Sequence, residues 1–310
     1  MSRILVTGAA GFIGSHTVDL LLAEHHTVAG LDNFRTGRPE NLVLAHGHHR
    51  FSFHGADVAD ATGFEPIVAA FRPEAIIHLA ALVSVPESIA EPVLNHRLNL
   101  HATHVVAEAA RRYRVGRIVF ASSAAVYGDA APPIHENVPK VPLSPYGAAK
   151  FASEIILLGH AAAFGAVVRC QRYFNVYGPR QDPGSPYSGV ISVFAQRYAA
   201  GQAPTIFGDG EQTRDFISVH DVARANARAA TTPGLATGAA NICTGRPVSL
   251  KALAEILARH FPGAAGPVYA AARAGDIRHS CGVPAAAMAE IGFRPKVPLE
   301  TGLAELLQVK

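Results

Sequence analysis

Tyr146 and Lys150 are the residues of this chain best placed to move a proton. They follow Ser144-Pro145, a helix-start signal, and a spacing of four sets both side chains on one helical face, one turn apart. An ammonium beside a phenol favours the phenolate and lowers a pKa that is about 10 in water. Bringing that value near 7 takes about 4 kcal/mol of differential stabilisation. Such a phenolate takes a proton from a hydroxyl and can give it back.

Near the start, Gly8-Ala9-Ala10-Gly11-Phe12-Ile13-Gly14 follows an apolar run and precedes a helical pattern. Glycines at 8, 11 and 14 permit a tight turn, close approach of backbone to a pyrophosphate, and close packing of helix on strand. The helix N-terminus then offers N–H groups and partial positive charge to phosphates. A second apolar run ends in Leu31-Asp32, about 20 residues beyond the glycines, where a carboxylate accepts hydrogen bonds from ribose hydroxyls and repels a 2′-phosphate. This favours NAD over NADP, with Arg35 the one nearby residue that argues the other way. A dinucleotide beside an activated phenol is the equipment for hydride transfer at a carbon bearing a hydroxyl.

The elements that must position these groups alternate. Apolar runs at 4–7, 27–31, 51–53, 75–79, 118–121 and 167–171 read as strands, and helical spacing marks 16–23, 95–112 and 146–163. The pattern predicts an α/β, doubly wound parallel sheet (Rossmann fold), covered on both faces, with a smaller α/β substrate-binding lobe. Past Asn175 the chain turns rich in Pro and Gly before helices at 190–200 and 250–260. We expect an NAD-binding domain over 1–175 and a substrate-binding lobe over 176–310, with 239–243 returning to the first sheet. The helices at 95–112 and 146–163 are apolar on more than one side, which predicts a homodimer seam.

Composition narrows the partners. The 310 residues carry a formal charge of +3 with no basic runs, which speaks against nucleic acid. Lysine appears only at 140, 150, 251, 296 and 310, so arginines are the natural partners for the anionic groups of a ligand. Cys170, Cys243 and Cys281 are scattered and predict reduced thiols. His46-Gly47-His48-His49 and His25-His26 read as solvated, His78 as a core histidine bonded to backbone, and no metal is expected. The short apolar run after Met1-Ser2-Arg3 is neither a signal peptide nor a membrane span, which predicts a cytoplasmic protein.

Taken with Ser122-Ser123, these motifs make the chain resemble the extended short-chain dehydrogenase/reductases over essentially its whole length. Within them it looks most like the UDP-glucose 4-epimerases and related UDP-hexose 4-epimerases. The motifs are residues 7–14, Leu31-Asp32-Asn33, Asp57-Val58, His78-Leu79-Ala80-Ala81, residues 122–128, Tyr146 to Lys150, residues 172–178 and Arg214-Asp215-Phe216. Ala124-Ala125 stand where sugar-nucleotide 4,6-dehydratases usually carry an acid/base pair, which disfavours dehydration, and decarboxylation with it.

The resemblance implies that Tyr146 takes the proton of the sugar 4-hydroxyl as C4 passes hydride to NAD, with Ser123 relaying the proton and Lys150 tuning Tyr146. The 4-keto sugar turns and receives the hydride on its other face. NAD would be held by Gly8, Gly11, Phe12, Ile13, Gly14, Asp32, Asn33, Thr36, Gly37, Asp57, Val58, Leu79, Ala80, Ala81, Asn99, Ser122, Tyr146, Lys150, Tyr173 and Phe174. The UDP-sugar would meet Ser123, Asn175, Val190, Thr205, Phe207, Arg214, Arg273, Asp276 and Ser280. Ser280, or Cys281 in a register shifted by one, is the small residue expected beside the sugar C2, implying room for an N-acetyl group. Val83 stands where some of these enzymes carry a Lys near the cofactor. Another NAD-dependent sugar-nucleotide enzyme (uronate epimerase, decarboxylase or 4-ketoreductase) and a non-catalytic NAD sensor are the alternative readings.

Overall fold

The computed structural model describes residues 1–182, 189–272 and 277–308. Its centre is a sheet of seven strands, all parallel: β1 (Arg3–Thr7), β2 (Thr27–Asp32), β3 (Phe51–Gly55), β4 (Ala75–His78), β5 (Arg117–Ser123), β6 (Val167–Tyr173) and the strand Gly238–Ile242. The spatial order is Gly238–Ile242, β6, β5, β4, β1, β2, β3. Chain order therefore reverses between β1 and β4, and a ligand crevice opens at the carboxyl ends of these two strands. The apolar runs form central strands because both faces are covered: Ile4, Leu5, Val6, Ile76, Ile77 and Val119 are wholly buried.

Helices start and stop where their caps dictate. The Ser144 side chain accepts from Gly147 N at 3.1 Å and Pro145 opens the helix Pro145–Phe164, which Gly165 ends in the left-handed region. The stretch read as one helix from 95 is Pro92–Asn95, a π turn His96–His101 and then Ala102–Arg112. Hydrophobic spacing alone does not reveal a π turn.

The helix Val219–Thr231 follows the smaller lobe's strand Thr213–Ser218, yet its Ala227, Ala229 and Ala230 join the core beneath β1. The second half of the chain thus lends the large sheet both a strand and a covering helix. The smaller lobe holds a three-stranded sheet, ordered Pro247–Ser249, Thr213–Ser218, Asn175–Tyr177, and a pair, Thr205–Phe207 with Val268–Ala270. Ile191, Phe194, Tyr198, Leu253, Leu257 and Leu303 fill its core. Among the described residues no helix is long and apolar enough to cross a membrane.

Candidate active site

The turn after β1 is built from contacts that only glycine permits. Gly8 has φ +70°, and a Cβ there would lie 2.7 Å from Ala80 N; one on Gly14 would lie 1.9 Å from Gly8 O. The helix Phe12–Ala23 is thereby drawn onto β1. Gly11 caps it with no side-chain bond and no acid follows in the first turn, so the N–H groups of Phe12, Ile13 and Gly14 are left to a ligand. A diphosphate fits this close-packed, donor-lined turn.

At the end of β2, Asp32 is buried, one carboxylate oxygen accepting from Ala10 N at 2.9 Å and the other from Phe34 N at 2.8 Å. Burial raises its pKa while these hydrogen bonds pull it down. A Cβ on Gly37 would fall 2.8 Å from either Asp32 oxygen, so only glycine lets this loop pack so closely on the carboxylate. Asn33 and Thr36 are exposed beside it, the Asn33 side chain accepting from Arg35 N. The Arg35 guanidinium is ion-paired with Glu87, a competing partner to any 2′-phosphate. Asp57 is paired with Arg97 at 2.7 Å and Val58 is buried. Leu79, Ala80 and Ala81 leave β4 half-buried, Ala80 N donating to Thr7 Oγ1 at 3.3 Å.

The helix Pro145–Phe164 carries Tyr146 and Lys150 to the ends of β5 and β6. Ser123 lies near Tyr146, and its Oγ accepts from Ala125 N at 3.1 Å. Lys150 Nζ donates to Ala121 O at 2.8 Å and sits 5.9 Å from the centre of the Tyr146 ring. The spacing predicts that Lys150 draws the Tyr146 phenol down; in the fold, burial weighs on both groups. Burial raises the Tyr146 pKa, and Ser123 is what pulls it down. Lys150 yields instead: burial lowers it to about 7, with Glu154 pulling upward. Two costly charges share one dry site, and the ammonium is penalised along with the phenolate.

Two residues expected at the cofactor turn their side chains elsewhere. Ser122 is buried with its hydroxyl donating to Glu154. Asn99, in the π turn, accepts from Leu82 N at 3.1 Å and donates to Leu82 O at 2.9 Å and Asn95 Oδ1 at 2.7 Å. It fixes the loop after β4. His78 is a core histidine, though its partners are the Thr7 and Thr103 hydroxyls rather than backbone. Tyr173 donates to Asn226 at 2.6 Å, and Phe174 is buried so tightly on Gly282 that a Cβ there would lie 2.6 Å from the ring.

Of the residues expected at the UDP-sugar, Phe207, Arg214 and Ser280 belong to one hydrogen-bonded unit. Gln212 Nε2 donates to Phe207 O at 2.6 Å, Ser280 N to Thr213 O at 3.1 Å, and Arg214 Nη1 to Thr213 O at 2.8 Å. Thr205 and Val190 are half-buried, and Asn175 is exposed at the head of its strand, paired with Phe216. Arg273 and Asp276 lie outside the described residues. The two candidates for the small residue beside the sugar differ in setting: Cys281 is buried with Sγ 3.7 Å from Asp215, whereas Ser280 is half-exposed. Asp215, which the sequence shows only as part of a motif, holds the unit together. Wholly buried, it accepts from Thr244 N at 2.8 Å, Thr244 Oγ1 at 2.6 Å, Gly245 N at 2.9 Å and Gly282 N at 3.4 Å. Among the described residues no group of three or more His, Cys, Asp or Glu could hold a metal.

This arrangement has close counterparts. Over 312 residues the chain is 40% identical to a UDP-glucose 4-epimerase of Mycolicibacterium smegmatis, an alignment spanning 99% of this chain and 97% of that one. The structure of a Thermus thermophilus UDP-glucose 4-epimerase in complex with NAD superposes with a TM-score of 0.89 at 38% identity, covering 99% of this chain and 98% of that one. A UDP-N-acetylglucosamine 4-epimerase of Methanobrevibacter ruminantium, in complex with UDP-N-acetylmuramic acid, gives 0.93 at 36% identity, covering 99% and 97%. Residues 4–243, which include the glycine turn, Asp32 and the helix bearing Tyr146 and Lys150, match the model of the NAD-dependent epimerase/dehydratase family, and the chain belongs to it.

Proposed function

We propose that this protein is an NAD-dependent 4-epimerase of UDP-hexoses. The observation that carries the reading is the placement of Ser123, Tyr146 and Lys150 at the crevice beside the glycine turn, with Ala124-Ala125 offering no carboxyl group for elimination. Bound NAD supplies the hydride acceptor, and then donor, for the sugar C4. Gly8, Gly11 and Gly14 with the first-turn amides hold its diphosphate, and Asp32 its adenosine ribose. Tyr146 takes the proton of the 4-hydroxyl and later returns it, while Ser123 bonds the same oxygen. Net oxidation is zero, so the cofactor remains bound between cycles. Arg214 meets the substrate diphosphate, where guanidinium forms bidentate, charge-assisted bonds to phosphate. Ser280 leaves room beside C2, so UDP-GlcNAc and UDP-GalNAc are substrates as well as UDP-Glc and UDP-Gal.

The cofactor lobe is residues 1–175 with the returning strand, and the substrate lobe most of 176–310. The chain works as a cytoplasmic homodimer. Support for the dimer is the outer stripe of the helix Pro145–Phe164, where Ala148, Ile155, Gly159 and Ala162 are exposed in helical spacing.

The test is to incubate purified protein, without added cofactor, with UDP-Gal, UDP-GalNAc and UDP-GalA separately and to separate the 4-epimers. Interconversion of UDP-Gal and UDP-GalNAc supports the whole reading. Turnover of UDP-Gal alone overturns the open gate, and no turnover even with NAD added overturns the epimerase.

A further inference from the structure

A closed polar network lies buried under the end of β5. Glu154, one turn beyond Lys150, is 1% exposed. Its Oε1 accepts from Ser122 Oγ and from Arg172 Nε at 2.9 Å, and its Oε2 accepts from Arg172 Nη2 at 2.6 Å. Arg172 Nη1 in turn donates to Tyr127 OH at 2.8 Å and Glu136 O at 3.1 Å, and Tyr127 donates to Asn241 at 2.6 Å. Asn241 Nδ2 donates to Ile134 O at 2.9 Å, and Ile134 N to Cys281 O at 2.9 Å, next to Ser280. A buried ion pair adds little net stability over an apolar pair of the same volume. What this one adds is a fixed anion one helical turn from the catalytic lysine.

We propose that Glu154 is a positioning residue of the catalytic group: clamped by Arg172, its carboxylate holds Ser122, and hence the strand end bearing Ser123, and supplies the counter-charge that keeps Lys150 cationic. The groups facing Lys150 are few. On β5 they are Ala121 O and the Phe120 ring, on its own helix Tyr146 and Glu154, and on β4 His78. Facing Glu154 are Ser122 from β5, Arg172 and Cys170 from β6, and, through charge, Lys140. His78 stays neutral because burial lowers it to about 3, Cys170 stays a thiol because burial raises it, and Arg172 stays charged. Glu154, ion-paired with Arg172, is the one carboxylate among these groups. Lys150, at about 7, stands where losing that charge changes its protonation.

The chain has lysines at only 140, 150, 251, 296 and 310, so Lys150 can be followed directly. In protein labelled with 13C at lysine Cε, without substrate, a Lys150→Met variant assigns the resonance and its pH midpoint is read. Glu154→Gln leaves Arg172 as an unopposed cation and is expected to lower the midpoint by at least one pH unit. The double variant Glu154→Met, Arg172→Met replaces the pair by apolar volume, and is expected to fold and to place the midpoint between the other two. In turnover, the alkaline limb of the pH profile is expected to move toward acid in the same order. An unmoved midpoint in both variants, with only a lower melting temperature, overturns the proposal and leaves Glu154 a purely structural role. The catalytic part rests on the epimerase reading, but the midpoint is measured without turnover, so the two can fail separately.

Discussion

Thr7 and His78 end neighbouring strands as register partners, and their side chains meet, Thr7 Oγ1 lying 2.8 Å from His78 Nδ1. The contact sits directly below the crevice and fixes the floor from which Ala80 approaches Gly8. Burial, not the contact itself, is what favours the neutral imidazole here. Burial lowers the His78 pKa from 6.5 to about 3, so between those values the unfolded chain binds the extra proton and the folded one does not. Stability from this source is intact above pH 6.5 and falls as the pH drops. At pH 5 the loss is about 2 kcal/mol. Urea unfolding of His78→Asn, compared with the parent at pH 7 and pH 5, is expected to show a smaller acid loss. His16, lowered to about 4 by burial, accounts for part of what remains.

Removing the Tyr146 hydroxyl deletes the proton acceptor while keeping the ring. Tyr146→Phe is expected to reduce kcat roughly 10²- to 10⁴-fold, the range for a positioned general acid-base. NAD affinity, measured by fluorescence titration, is expected to change far less, because the glycine turn and Asp32 are untouched.

Asp32→Asn removes the charge that a ribose hydroxyl would meet. A hydrogen bond to a charged group contributes roughly 1.5–3 kcal/mol, so NAD affinity is expected to fall roughly 10- to 100-fold, with a smaller loss for NADP because the repulsion of its 2′-phosphate goes too. Equilibrium titration of cofactor-stripped protein with each dinucleotide checks both effects.

Asp215→Ala strands the N–H groups of Thr244, Gly245 and Gly282 without their shared acceptor. Leaving buried donors unsatisfied costs about 1–3 kcal/mol each. A drop in melting temperature is expected, and a KM for UDP-sugar that rises more than kcat falls, because the segment carrying Ser280 loses its anchor. Thermal melts and initial rates on UDP-Gal distinguish the two effects.

The large sheet was legible because its strands are continuous apolar runs, such as Ile4-Leu5-Val6 and Ile118-Val119-Phe120, each followed by a turn or helix signal. The smaller lobe showed its helices near 190–200 and 250–260 but not its strands, because runs of three residues such as Asn175–Tyr177 and Thr205–Phe207 are too short to show a period. The return of Val219–Thr231 to the cofactor lobe depends on contacts made across the whole chain, which spacing does not encode. At the site, the Tyr146 and Lys150 motif announces itself, but which charge bears the burial penalty is set by surroundings that fold in from β4, β5 and β6. Asp215 and Glu154 read as ordinary acids until the fold gathers their donors around them.

The ion pair of Arg35 and Glu87 ties the segment after Asp32 to the short helix Val85–Ala90, and the next residue of that helix, Ser88, accepts from the backbone N–H of Tyr146 at 3.2 Å. One turn of helix therefore straps the segment after Asp32 to the start of the helix that bears Tyr146. Both segments are thus linked through one pair of charges and one hydrogen bond. Salt screens such pairs, so dissociation of bound NAD is expected to quicken as ionic strength rises, a dependence that stopped-flow dilution into salt measures.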